Sequence, residues 1–174
     1  MKTGDKRGQI WVETVIYTLI ALILIGAVLA FIIPKVEEIQ DKAIIEQSIT
    51  MMKSIDNIII SVIRGGPGNK RIIDLGIKKG TLKIDSAKDE IVFEIQSEYV
   101  YSEIGEKINI GSIVVLTEET QTLKKITLTS SYSKYDLTYN GKNETKSISQ
   151  ASTPYKFSIE NKGGAKVVID IIIS

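Results

Sequence analysis

The chain has 174 residues, 22 Lys and Arg against 21 Asp and Glu, and 43% apolar residues, so its formal charge is +1 and it can bury enough surface to order itself. So even a balance offers no basic face able to displace counterions from a phosphate backbone, and no nucleic-acid partner is expected. Cys and His are both absent, which removes disulfides, thiolate nucleophiles, zinc ligation by sulfur or imidazole and the side chain best suited to proton transfer at neutral pH; the chain reads as a non-enzyme with no metal and no cofactor.

The first element lies in KRGQIWVETVIYTLIALILIGAVLAFIIP, residues 6 to 34. From Val15 to Ile33 the only clearly polar side chains are Tyr17 and Thr18, and a Thr hydroxyl can bond back into its own helix. At about 1.5 Å per residue this run spans roughly 28 Å, close to the hydrocarbon thickness of a bilayer, and predicts a transmembrane helix. Lys2, Asp5, Lys6 and Arg7 precede it, whereas Lys35, Glu37, Glu38, Asp41 and Lys42 follow; the positive-inside bias puts the N-terminus in the cytoplasm and the bulk of the chain outside. A removable secretory signal fits less well, because the run is longer than an h-region and PKVEEIQ after Ile33 has no small-x-small cleavage site. One carboxylate, Glu13, abuts the apolar run, where a charge opposes insertion.

Residues 6 to 13, Lys-Arg-Gly-Gln-Ile-Trp-Val-Glu, resemble the processing site of archaeal type IV pilin-like proteins, which carry a class III signal peptide. In that family a prepilin peptidase cuts after the glycine, on the cytoplasmic side of the apolar stretch, and the stretch stays as the N-terminal helix. The resemblance implies recognition of Lys6, Arg7 and Gly8, cleavage between Gly8 and Gln9, and a mature chain with Gln9 first and Glu13 fifth, where type IV pilins generally carry Glu. It also implies a helical filament of copies of the chain, assembled by a pilus ATPase and a membrane platform protein. Trp11 stands where family members often have Ser. The match covers about the first 35 residues, the following helix loosely, and only a β-rich outline over residues 70 to 174. On this reading Glu13 pairs with the new α-amine of Gln9 on an adjacent helix, an amine with an ordinary pKa near 8 and so cationic at neutral pH. Read from its charge alone, Glu13 sits among lipid headgroups in the helix's first turn, where the helix dipole favours an anion.

Pro34 either kinks a continuing helix or starts a new one. Beyond it Val36, Ile39, Ala43, Ile45, Ile49, Met52, Ile55, Ile59 and Val62 recur at three- and four-residue steps, with Glu37, Glu38, Asp41, Lys42, Glu46, Lys53 and Asp56 between them. This is the pattern of an amphipathic helix, better suited by its irregular steps to packing on a sheet than to a coiled coil. It ends at Gly65-Gly66-Pro67-Gly68, which lacks the preceding strand, the following helix and the Lys-Ser/Thr ending of a phosphate-binding loop. Unbroken, residues 9 to 64 would measure about 80 Å.

Residues 71 to 174 alternate in the period of half-buried strands: Ile91, Phe93, Ile95; Tyr135, Leu137, Tyr139; Tyr155, Phe157, Ile159. Tyr139-Asn140-Gly141-Lys142 and Glu160-Asn161-Lys162-Gly163-Gly164 read as hairpin turns. The run from Val167 to Ile173 is too apolar for an edge and predicts a central strand, antiparallel to residues 155 to 160 and covered by the helix. Asn143-Glu144-Thr145 is an N-glycosylation sequon beside a turn. Asp89-Glu90 and Glu118-Glu119 read as solvated charge at turns, and residues 85 to 90 lack the ligand spacing of a calcium loop.

The expected fold is α+β: a long N-terminal helix, hydrophobic then amphipathic, packed on a C-terminal antiparallel β-sheet or β-sandwich. The expected parts are a leader at 1 to 8, a membrane or filament-core helix at 9 to 34, its amphipathic continuation at 35 to 64, a Gly/Pro linker at 65 to 70 and an extracellular β-rich domain at 71 to 174. The expected function is a structural subunit of an archaeal type IV pilus-like surface filament, held in the membrane before assembly. Two alternatives share this topology: a non-polymerising single-span protein displaying a binding or adhesion domain, and an archaellin-like subunit.

Overall fold

A computed structural model describes residues 6 to 174, with side chains from Trp11 onward. The chain divides into two units, Met1–Ile39 and Gln40–Ser174. One helix, α1 (Lys6–Arg64), passes from the first into the second and contains Pro34. Pro34 therefore does not end the helix, although its missing N–H deprives the carbonyl of Ala30 of its helical partner.

In the second unit α1 buries Ile45, Ile49, Met52, Ile55, Ile59 and Val62, each at most 5% exposed, as their three- and four-residue spacing predicts. The predicted stripe is too long at its start. Val36, Ile39 and Ala43 are exposed, whereas Asp41, assigned to the polar face, is buried. Its carboxylate accepts hydrogen bonds from the Lys79 ammonium and from the Glu98 backbone N–H (2.8 Å), which compensates the loss of water. Asp56, also placed on the polar face, is half-buried and accepts from the hydroxyls of Ser112 (2.8 Å) and Tyr132 (3.1 Å). Tyr132 is itself buried, and burial followed by the nearby Asp56 carboxylate pushes its phenol far above the usual range. The helix closes as expected: Gly65 N–H bonds the carbonyl of Ser61 (3.0 Å), and Gly66 turns left-handed at φ +80°.

Ten strands follow: β1 (Lys70–Leu75), β2 (Thr81–Asp85), β3 (Glu90–Ser97), β4 (Lys107–Ile110), β5 (Ile113–Glu119), β6 (Lys124–Ser131), β7 (Asp136–Tyr139), β8 (Lys146–Ser149), β9 (Tyr155–Gly163) and β10 (Val168–Ile173). The linker is thus one residue shorter than predicted, since Lys70 already belongs to β1. They form a four-stranded sheet in the order β1-β9-β10-β7 and a six-stranded sheet in the order β4-β5-β6-β3-β2-β8. Inward side chains of both sheets, among them Phe93, Ile95, Ile126 and Leu128 on one and Phe157, Ile159, Ile169 and Ile171 on the other, join the buried face of α1 in one continuous core. Each such side chain contributes about 1.5–3 kcal/mol by leaving water. Gly80 is obligatory at φ +100°, because a Cβ there would lie 2.6 Å from the carbonyl oxygen of Glu94 and 2.8 Å from the Phe93 ring.

β10 is central and antiparallel to β9, as expected, but its other neighbour, β7, runs parallel to it, so the four-stranded sheet is mixed. The predicted turn at residues 160 to 164 lies at 164 to 167 instead. Asn161, Lys162 and Gly163 belong to β9, where a register shift opposite Val168 and Ile169 and the φ of +73° at Gly163 mark a bulge; Val167 falls in the turn. Asp89 is not merely solvated charge. Half-buried and left-handed at φ 54°, it accepts hydrogen bonds from the Leu137 N–H (2.8 Å) and the Lys166 ammonium (3.3 Å).

The Lys83 ammonium, 2.7 Å from Asp85, holds the Asp85 carboxyl below the usual carboxylate range through that hydrogen bond, and Lys83 is raised in return. A carboxyl depressed by folding contributes stability that is fully present above its unfolded value of about 4 and is lost as pH falls through the folded value. Denaturant midpoints measured from pH 7 down to pH 2 should therefore fall more steeply below about pH 4 in the parent protein than in Asp85→Asn.

Candidate functional site

The first unit is distinguished by what it leaves uncovered. Every described side chain from Trp11 to Ile33 is exposed, with Trp11 and Phe31 at 71% and Leu24 at 60%. The window that is long and apolar enough to cross a membrane is 0% buried. A helix apolar on all sides is stable only where lipid or other protein replaces water around it. The segment therefore fits a membrane-spanning helix by length and composition.

Polar groups concentrate at its start. At about 100° per residue, Glu13, Thr14, Tyr17 and Thr18 share an arc of about 140°, and Val12, Val15, Ile16 and Leu19 fill the remainder. The Thr18 hydroxyl donates to the Thr14 carbonyl at 2.8 Å, so its polarity is satisfied within the helix as expected. This grouping was legible in the spacing i, i+1, i+4, i+5 and is missed when Tyr17 and Thr18 are read singly. Because α1 begins at Lys6, Glu13 is its eighth residue and lies beyond the first turn. The side chains of Lys6, Arg7, Gly8 and Gln9, which carry the expected peptidase and cleavage sites, lie outside the described residues.

In the second unit, Asn140 (φ 51°) and Gly141 (φ 73°) are both left-handed, and Tyr139 and Lys142 exchange backbone hydrogen bonds of 2.9 and 3.1 Å. This is the two-residue turn predicted from Asn-Gly. The buried Asp170 pins it by accepting from Gly141 N–H (2.7 Å) and the Thr138 hydroxyl (2.8 Å). Asn143 follows in an exposed loop, accessible to a modifying enzyme.

A cleft of about 460 Å³ on the six-stranded sheet is lined by Lys79, Thr81, Glu94, Gln96 and Lys125. Its charges are already engaged: Lys125 lies 2.7 Å from Glu94, and Lys79 holds Asp41. Among the described residues no three acidic side chains gather closely enough to hold a metal ion. Comparison with protein-family models, curated proteins and solved structures returned no match to this chain.

Leu24→Arg places a charge near the middle of the apolar run and should cost about 2.5–3.5 kcal/mol of insertion, read as a shift from membrane to soluble fractions in carbonate extraction. In native material from a glycosylating host, the peptide carrying Asn143 should show a glycan mass; an unmodified peptide counts against use of the sequon.

Proposed function

We propose that the protein is a pilin-like structural subunit of an archaeal type IV pilus-like surface filament. One observation carries this reading. The apolar segment of α1, uncovered from Trp11 onward, follows Lys-Arg-Gly-Gln in the sequence and carries a carboxylate, Glu13.

In the membrane, lipid covers the apolar segment. In the filament, sister helices take the place of lipid, and packing with interhelical polar contacts replaces the hydrophobic effect as the force holding helices together. Cleavage after Gly8 frees an α-amine on Gln9. That amine, cationic at neutral pH, meets Glu13 of an adjacent helix, and the pair sets the axial stagger. The prepilin peptidase, the assembly ATPase and the membrane platform are the partners this requires. The positive-inside bias puts the second unit outside the cell.

The rival reading, a single-span protein that displays its outer domain for binding without polymerising, shares the apolar segment, but the cleft at Lys79 and Lys125 has its charges engaged and does not favour it. The two readings part on processing and assembly. After co-expression with an archaeal prepilin peptidase, mass measurement should find a chain beginning at Gln9; one that still begins at Met1 sinks the pilin reading. Glu13→Ala should insert normally yet yield no filaments in negative-stain images of sheared surface material, and normal filaments from that variant would refute the pairing.

A further inference from the structure

Three of the four sheet edges are blunt: β4, β7 and β8 are four residues long, too short to template another strand well. The fourth is different. β1 has six residues, pairs among the described residues only with β9, and exposes Lys70, Arg71, Ile72 and Asp74, with Ile72 at 63%.

The hydrogen-bonding phase of β1 follows from its neighbours. Lys156 and Ser174 exchange backbone bonds (2.8 and 3.1 Å), and Asn161 N–H bonds the carbonyl of Asn69 (2.9 Å). Lys156, Ser158 and Glu160 therefore point their backbone groups at β10, and Phe157 and Ile159 point theirs at β1. Since Phe157 lies opposite Ile73 and Ile159 opposite Arg71, alternation leaves the N–H and C=O of Lys70, Ile72 and Asp74 directed at the open edge.

We infer that this edge is a homotypic contact, at which β1 of a second copy pairs antiparallel across a two-fold axis through Ile72. Three requirements converge on that register. Residues with edge-directed backbone groups must stand opposite one another, and centring on Ile72 matches Lys70 with Asp74, Ile72 with Ile72 and Asp74 with Lys70, each pair exchanging two hydrogen bonds. Directly opposed side chains lie on one face of the sheet, and here that face sets Lys70 against the Asp74 carboxylate at both ends of an apolar Ile72 pair. Shifting the centre to Arg71 or Ile73 loses a pair and sets Lys70 or Asp74 against Ile72. The charges that on most edges repel a second strand are here of opposite sign and self-complementary. The contact is isologous, so it closes between two copies rather than propagating an array. It is independent of the filament reading and of leader cleavage.

The chain lacks cysteine, which makes the test direct. Opposed residues in a hydrogen-bonded antiparallel pair have Cα atoms about 5.5 Å apart, within disulfide range. Full-length Ile72→Cys in detergent, mildly oxidised, should form a disulfide-linked dimer about tenfold faster than Thr145→Cys, an exposed position away from the edge. Adding Lys70→Glu or Asp74→Lys to the Ile72→Cys chain should each slow cross-linking about tenfold, and mixing those two double variants should restore it between unlike copies. All these side chains are exposed, so the fold is retained. Cross-linking at position 72 no faster than at 145, or unchanged by charge reversal, overturns the inference.

Discussion

The second unit rests on one shared core. The face of α1 from Ile45 to Val62 and the inward sides of both sheets bury the same apolar cluster, so each layer completes what the other two leave open. Neither sheet covers its inner side chains alone, and half of an isolated helix of this pattern would face water with six bulky aliphatic groups. Removing apolar area from water dominates such an arrangement. It lacks direction, however, and many helix rotations and offsets would satisfy it nearly as well.

Direction comes from polar contacts between α1 and distant loops and one strand. Asp41 receives Lys79 and the Glu98 amide near the start of the packed half, Asp56 receives Ser112 and Tyr132 in its middle, and the Asn161 side chain donates to the Val62 carbonyl at its end (3.4 Å). Each is worth little net, yet a one-turn slip would leave several desolvated groups unpaired at once. The three contacts thus fix the axial position of the helix that the aliphatic stripe leaves loose.

Local pattern made much of this legible. The apolar run at 15 to 33, the stripe from Ile45 onward, the alternation in β3 and β9, the Asn140-Gly141 turn and the central place of β10 all depend on neighbours a few residues away. The misreadings share a different origin. Asp41 looked solvated because its partners lie 38 and 57 residues further along the chain. Gly163 and Gly164 suggested a turn because glycine marks left-handed backbone of any kind, and Gly163 uses that freedom for a bulge inside β9. The parallel pairing of β7 with β10 has no local signature at all. At the apolar segment, composition revealed the greasy run but not the polar arc of Glu13, Thr14, Tyr17 and Thr18, which emerges only when positions are wound at the helical period.

The mixed sheet has a kinetic consequence. Lys70 of β1 lies opposite Glu160 of β9, and Ile171 of β10 opposite both Ile159 and Tyr139. A ribosome must therefore extend β1 by about ninety further residues before that strand meets its neighbour, a closure whose entropic cost precedes any reward. The hydrogen bonds of α1 close over four residues, whereas this sheet waits for β10 to slide between two strands already laid down. Completion of the second unit therefore waits on its last strand, long after the helix that shares its core has been made.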